Sequence, residues 1–198
     1  MHAAALALLA TLSVAYAQEK MSRDEALPHA KAIGADLVQL MGTPLPTDVD
    51  IECPVAVKEE SYGGLVLPQK NLTAEALARI GETAVPVGQL WLLHLTPMRD
   101  GFPVSPDSLR IAKVQNDGSE VLAPQCALGV RRAKSGSLEL VVYGQGKEPI
   151  VTAALKAVEA KQATPLDLEA ERNGDTGELT VKLLGRYQAS FPVTELEL

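Results

Sequence analysis

The chain has 198 residues, enough for one domain or two small ones with a real core, and its 25 acidic against 18 basic side chains leave a net charge of −7. A surplus of this sign repels phosphate backbones and argues against nucleic acid as a partner. Histidines and cysteines occur singly, with no CxxC or HxxH spacing, so neither a metal frame nor any cofactor is expected.

The first segment, Ala3–Ala15, is apolar and uncharged. It is too short to span a bilayer, which takes about 20 apolar residues, but it has the length of a secretory signal. Ala15 and Ala17 bracket Tyr16 ahead of polar Gln18, Glu19 and Lys20, which is the A-x-A pattern of a cleavage site. Residues 1–17 are therefore expected to be a cleaved signal peptide, with cleavage between Ala17 and Gln18 and a secreted or periplasmic product. No second long apolar stretch follows, so no membrane span is expected in the mature chain.

Residues 18–48 read as a helix and a linker. Pro28 suits a first helical position, Ala30, Ile33, Leu37 and Leu40 share one helical face, and Gly42 is a natural stop. Ser22 and Glu25 have capping-box spacing, which gives an earlier start and leaves Pro28 inside the helix. From Val49 to Glu59, apolar and polar residues alternate through Ile51, Cys53, Val55 and Val57, the period of a half-buried strand. Gly63–Gly64 predicts a bend or a close backbone approach before a short strand at Leu65–Leu67. Thr73 is placed to cap a short helix in NLTAEALARIG, which Gly81 ends.

Val85–Pro97 is the most apolar stretch after the leader. Its apolar residues fall on both faces, as in a central strand covered on each side. Hairpins are expected around NDGS, AKSG and RNGDTG, and a last strand alternates Tyr187, Ala189, Phe191 and Val193. The stretch Pro149–Ala163 holds helix formers but opens on Ile150–Val151–Thr152, and a strand is expected there. Many short strands joined by turns predict a mainly β fold: a sandwich of antiparallel strands over residues 49–198, with an N-terminal helix and one short inserted helix. Residues 164–198 could form a small C-terminal lobe. Gly185-Arg186-Tyr187 before an alternating strand is similar to the tyrosine corner, an analogy with immunoglobulin-type sandwiches that is too short to name a family.

Cys53 and Cys126 each fall on the apolar face of an alternating stretch. In an exported chain such a pair predicts a disulfide, worth roughly 4 kcal/mol for a loop of this length. Function is less legible. His94 has no nucleophile elbow to serve, and the expectation is a non-catalytic module that binds a protein or a cell-envelope component. The alternative is an exported hydrolase with loop-borne carboxylates, for which Asp100 and Asp107 in PMRDGFPVSPD are the nearest pair. Six aromatics follow Ala17, most on strand patterns, so the candidate binding residues are Tyr62 and Phe102, each beside a glycine. Arg131 and Arg132, in a locally basic GVRRAKSGS, are candidates for anion binding, against a solvated hairpin tip.

Overall fold

A computed structural model describes residues 16–37, 45–116 and 118–197. Most of the expected leader, Met1–Ala15, and the expected end of the first helix at Leu40 and Gly42 lie outside the described residues. The fold is mainly β, with antiparallel sheets in a sandwich-like arrangement and two helices.

The first half of the chain runs β1 (Tyr16–Ala17), β2 (Glu19–Lys20), α1 (Arg23–Leu37), β3 (Val55–Glu59), β4 (Tyr62–Pro68), α2 (Ala74–Ala78), β5 (Val85–Leu93), β6 (Leu95–Arg99) and β7 (Phe102–Pro103). A single 3₁₀ turn, Pro106–Ser108, leads to β8 (Arg110–Asn116), β9 (Ser119–Arg132) and β10 (Leu138–Tyr143). The chain ends with β11 (Val151–Ala154), β12 (Lys156–Ala157), β13 (Leu166–Asn173), β14 (Thr176–Leu183) and β15 (Tyr187–Glu195). The large sheet has the order β11-β10-β9-β5-β4-β3-β2, with β8 also on β9. The small sheet has the order β1-β13-β14-β15-β6-β7, with β12 also on β15.

Alternation explains which faces meet. Val57, Val66, Leu90, Leu92, Cys126, Leu128 and Leu140 of the large sheet join Leu166, Leu168, Leu179, Val181, Leu183 and Phe191 of the small sheet in one buried cluster. Each such side chain contributes about 1.5–3 kcal/mol when removed from water. Residues 164–197 share this core rather than owning one. Gly64 faces it, and a Cβ there would lie 3.1 Å from the Leu168 Cδ2, so the glycine lets the sheets approach closely. On the other face of the large sheet, Ala26, Ala30 and Ile33 of α1 pack with Leu65, Leu67 and Trp91. The outer face of the small sheet is polar, as the Thr180–Ser190 hydroxyl pair and the Lys182–Glu169 ion pair show. The layers are thus helix, large sheet, small sheet.

The three hairpins form where NDGS, AKSG and RNGDTG place them: β8 pairs with β9, β9 with β10, and β13 with β14. Within Pro149–Ala163 the chain is strand at β11 and β12. Thr73 caps α2, its hydroxyl accepting from the Ala76 N–H at 3.2 Å. Four expectations change. Helix α1 starts at Arg23, not Pro28, because Ser22 and Glu25 close the capping box: the Ser22 N–H donates to the Glu25 carboxylate at 2.8 Å. The strand expected over Val49–Glu59 is only β3, because Asp50 accepts from the Glu52 N–H at 3.0 Å and turns the chain. The strand expected over Val85–Pro97 breaks at His94, whose φ of 54° lies in the left-handed region, and β5 and β6 enter different sheets.

The fourth change concerns the cysteines, which are free thiols rather than the expected bridge. Cys126 does face inward on β9 and is fully buried between the sheets. Cys53 sits in the Asp50 turn, half-buried beside Asp50, Glu52 and Arg23, and never joins an inward-facing strand position. Burial pushes the Cys126 thiol up to about 12, and partial burial with a hydrogen bond to Asp50 raises that of Cys53. Since the thiolate is the reactive form, maleimide at pH 8 is expected to label Cys53 of the native chain and to reach Cys126 only on unfolding. Labelling of neither cysteine before reduction would restore the bridge.

Candidate functional site

At one end of the sandwich the two sheets part around a cleft of about 620 Å³. Four local devices bring its walls together. The β3–β4 hairpin pairs Glu59 with Tyr62 across a turn in which Glu60 takes φ 49°. The β13–β14 hairpin places Arg172 just before Gly174, at φ 64°. The β6–β7 hairpin pairs Arg99 with Phe102, and both turn residues, Asp100 and Gly101, have positive φ, at 54° and 82°. That is the type I′ geometry favoured by Asp-Gly. Finally, Gln18 lies between β1 on the small sheet and β2 on the large sheet, and its N–H donates to the Ala170 carbonyl at 2.9 Å.

A polar cluster drawn from both sheets lines this end. The Tyr62 hydroxyl donates to the Glu195 carboxylate, and this hydrogen bond raises the phenol above its ordinary value. The Arg172 guanidinium carbon stands 5.9 Å from the centre of the Tyr62 ring, within cation–π range. The same Arg172 bonds the Gly174 carbonyl at 3.1 Å and lies 3.8 Å from Glu59. The second Glu59 oxygen, Oε2, is buried with no partner, as is the Oε1 of Gln18. Phe102 projects over the rim with 74 % of its surface exposed, the most exposed large apolar side chain among the described residues.

Of the residues marked in the sequence, the structure therefore brings Tyr62 and Phe102 into one cleft and leaves the others elsewhere. Arg131 is ion-paired with Glu139 at 3.1 Å. Arg132 donates to the carbonyls of Ile80 and Gly136, so both guanidiniums are already engaged in holding the β9–β10 hairpin. Asp100 lines a separate groove with Lys156 and Glu178, which Asp107 does not join. His94 is exposed at the sheet crossing. Among the described residues no group of three or more His, Cys, Asp or Glu is placed to hold a metal, and no helix is long and apolar enough to cross a membrane. Glu59, Arg172 and Glu195 were not marked by sequence reasoning. Each sits at a polar position of an alternating strand, which by itself reads as a solvated face.

No protein-family model, curated protein or solved structure matches the chain.

The Tyr62–Glu195 bond has a titration signature. A phenol whose folded pKa lies above its unfolded value, about 10, adds stability that is fully present below that value and is lost as pH rises through the folded one. In a ¹³C NMR titration of the tyrosine Cζ signals, Glu195→Gln is expected to lower the midpoint of Tyr62. An unmoved Tyr62 midpoint would show that the carboxylate is not its partner.

Proposed function

We propose that the chain is an exported, non-catalytic binding module whose cleft at the open end of the sandwich takes a protein or a cell-envelope component. The observation that carries this is the meeting of Tyr62 and Phe102 in one cleft, with the exposed Phe102 ring beside a two-residue turn. An aromatic side chain presented on a well-ordered hairpin offers a large contact area at little entropic cost, which is why such rings anchor interfaces. Two other grooves among the described residues do not hold both rings. A groove of about 250 Å³ between α1 and the large sheet includes Tyr62 without Phe102, and the groove holding Asp100 has neither.

Export rests on the sequence alone: the apolar Ala3–Ala15 and the Ala15-Tyr16-Ala17 pattern. Cleavage after Ala17 would remove the two-residue β1, which pairs Tyr16 with Arg172 and Ala17 with Glu171, and leave Gln18 as the first residue at the cleft rim. A secreted or periplasmic product follows from this reading.

The test is a photo-crosslinker in place of Phe102 in the producing cell, with one in place of Leu122, another exposed apolar residue, as control. A defined adduct from position 102 is expected, absent from position 122 and lost in Tyr62→Ala. Its intact mass should correspond to a chain beginning at Gln18. Equal adducts at both positions would refute the cleft, and a mass that retains Met1–Ala17 would refute export.

A further inference from the structure

Without β1, strand β13 is the edge of the small sheet. Along an antiparallel ladder, alternate residues turn their N–H and C=O to opposite sides. The Leu184 N–H donates to the Pro165 carbonyl at the start of the β13–β14 ladder, so Asp167, Glu169 and Glu171 face β14 and Leu166, Leu168, Ala170 and Arg172 face outward. The chain itself meets several of these outward groups. The Leu166 carbonyl accepts from the Thr164 hydroxyl at 2.6 Å, and the Leu168 N–H donates to the Asp167 carboxylate at 2.8 Å. The Ala170 carbonyl accepts from the Gln18 N–H at 2.9 Å. Arg172 meets Tyr16 of β1, and the expected cleavage after Ala17 takes that neighbour away.

Resting on the readings of export and of the cleft, we propose that the mature chain takes the extended C-terminal end of a partner polypeptide as an added strand on β13, its backbone against Arg172 and its terminal carboxylate against Gln18. An open strand edge is a template for such pairing. Here the template is filled by the chain's own Tyr16–Ala17, antiparallel, with Tyr16 opposite Arg172 and Ala17 opposite Glu171. Arg172 and Gln18 both line the cleft, so this place adjoins it. Two features choose a chain end over a loop. Gln18 keeps its bond to Ala170, which blocks the line along β13 beyond the place of Ala17. Hydrolysis of the Ala17–Gln18 bond also turns the Gln18 N–H into an ammonium where the added strand must stop. A terminal carboxylate meets that charge in a charge-assisted hydrogen bond, whereas a loop would turn away there and bring none.

The experiment uses the exported chain isolated from the producing cell, with its intact mass read first. A chain beginning at Gln18 is then titrated, by amide ¹⁵N–¹H NMR, with a free peptide of the sequence Leu12–Ala17. Three relatives follow: the C-terminal amide, the peptide N-methylated at its tyrosine, and the peptide N-methylated at its last alanine. The free acid is expected to shift the Ala170, Glu171 and Arg172 amides and to slow hydrogen exchange at Arg172. Amidation should weaken it about tenfold, the loss of one charge-assisted hydrogen bond. Methylation of the tyrosine nitrogen, which faces Arg172, should abolish binding, while methylation of the alanine nitrogen, which faces away from β13, should leave it. The protein is the same in every arm, so no variant has to fold. Equal effects of the two methylations would overturn strand addition. Equal affinity of acid and amide, or a chain lighter by one ammonia with Gln18 closed into a lactam, would overturn the carboxylate contact. Silence towards every peptide in a chain beginning at Gln18 would overturn the inference and leave export standing, with the crosslink at position 102 judging the cleft. A mass that retains Met1–Ala17 would overturn export and, with β1 still in place, this inference too.

Discussion

The arrangement depends on one continuous segment, Val85–Arg99, serving both sheets. As β5 it lies at the centre of the large sheet, between β4 and β9, and as β6 it pairs with the end of β15 in the small sheet. A strand cannot belong to two packed sheets without turning sharply between them. The left-handed φ of 54° at His94 makes that turn, and the Leu196 N–H donates to the His94 carbonyl at 2.9 Å. A second crossing lies at Gln18, between β1 on the small sheet and β2 on the large. Gln18 and Leu95, immediately after His94, both line the cleft. The cleft is therefore the gap between two places where the chain passes from one sheet to the other, which ties its width to the backbone rather than to surface side chains.

This division of labour also separates stability from recognition. The facing leucines and valines of the two sheets supply the core, each side chain worth about 1.5–3 kcal/mol. The ion pair of Arg172 with Glu59, whose side chains are 44 % and 24 % exposed, belongs to a class worth about 0–1 kcal/mol. What that cluster contributes is orientation. Glu59 and Tyr62 come from the large sheet, Arg172 and Glu195 from the small one, and their contacts set where each carboxylate stands when an occupant arrives. A site held this way can be polar and open without weakening the sandwich behind it.

Much of the β architecture was legible because its signals are local. Turn residues, alternation and glycine positions announce the β8–β9, β9–β10 and β13–β14 hairpins and the close approach at Gly64. The failures were also local, where a short-range hydrogen bond or a backbone conformation overrode periodicity. Asp50 captures the Glu52 N–H and takes Cys53 out of the strand on which alternation had placed it. At His94 the alternation runs unbroken from Leu93 to Leu95, so nothing in the pattern marks a change of sheet. Asp100-Gly101 is a hairpin signal that the surrounding prolines disguised as a loop. The cleft was visible only as two aromatic residues beside glycines. Glu59 stands more than a hundred residues from Arg172 and Glu195, and the packing of β3 on β13, with the pairing of β13, β14 and β15, brings them together.

The central claim is that the two sheets close against each other and leave this polar end as a shaped cleft. Nuclear Overhauser contacts in a ¹³C-labelled chain test it most directly. The account predicts cross-peaks between the Gly64 α-protons and a Leu168 methyl, which mark the closed core, together with cross-peaks between the Tyr62 ring and the Arg172 side chain at the cleft. Core contacts without the Tyr62–Arg172 pair would contradict the cleft, and loss of both would contradict the packing of the sheets.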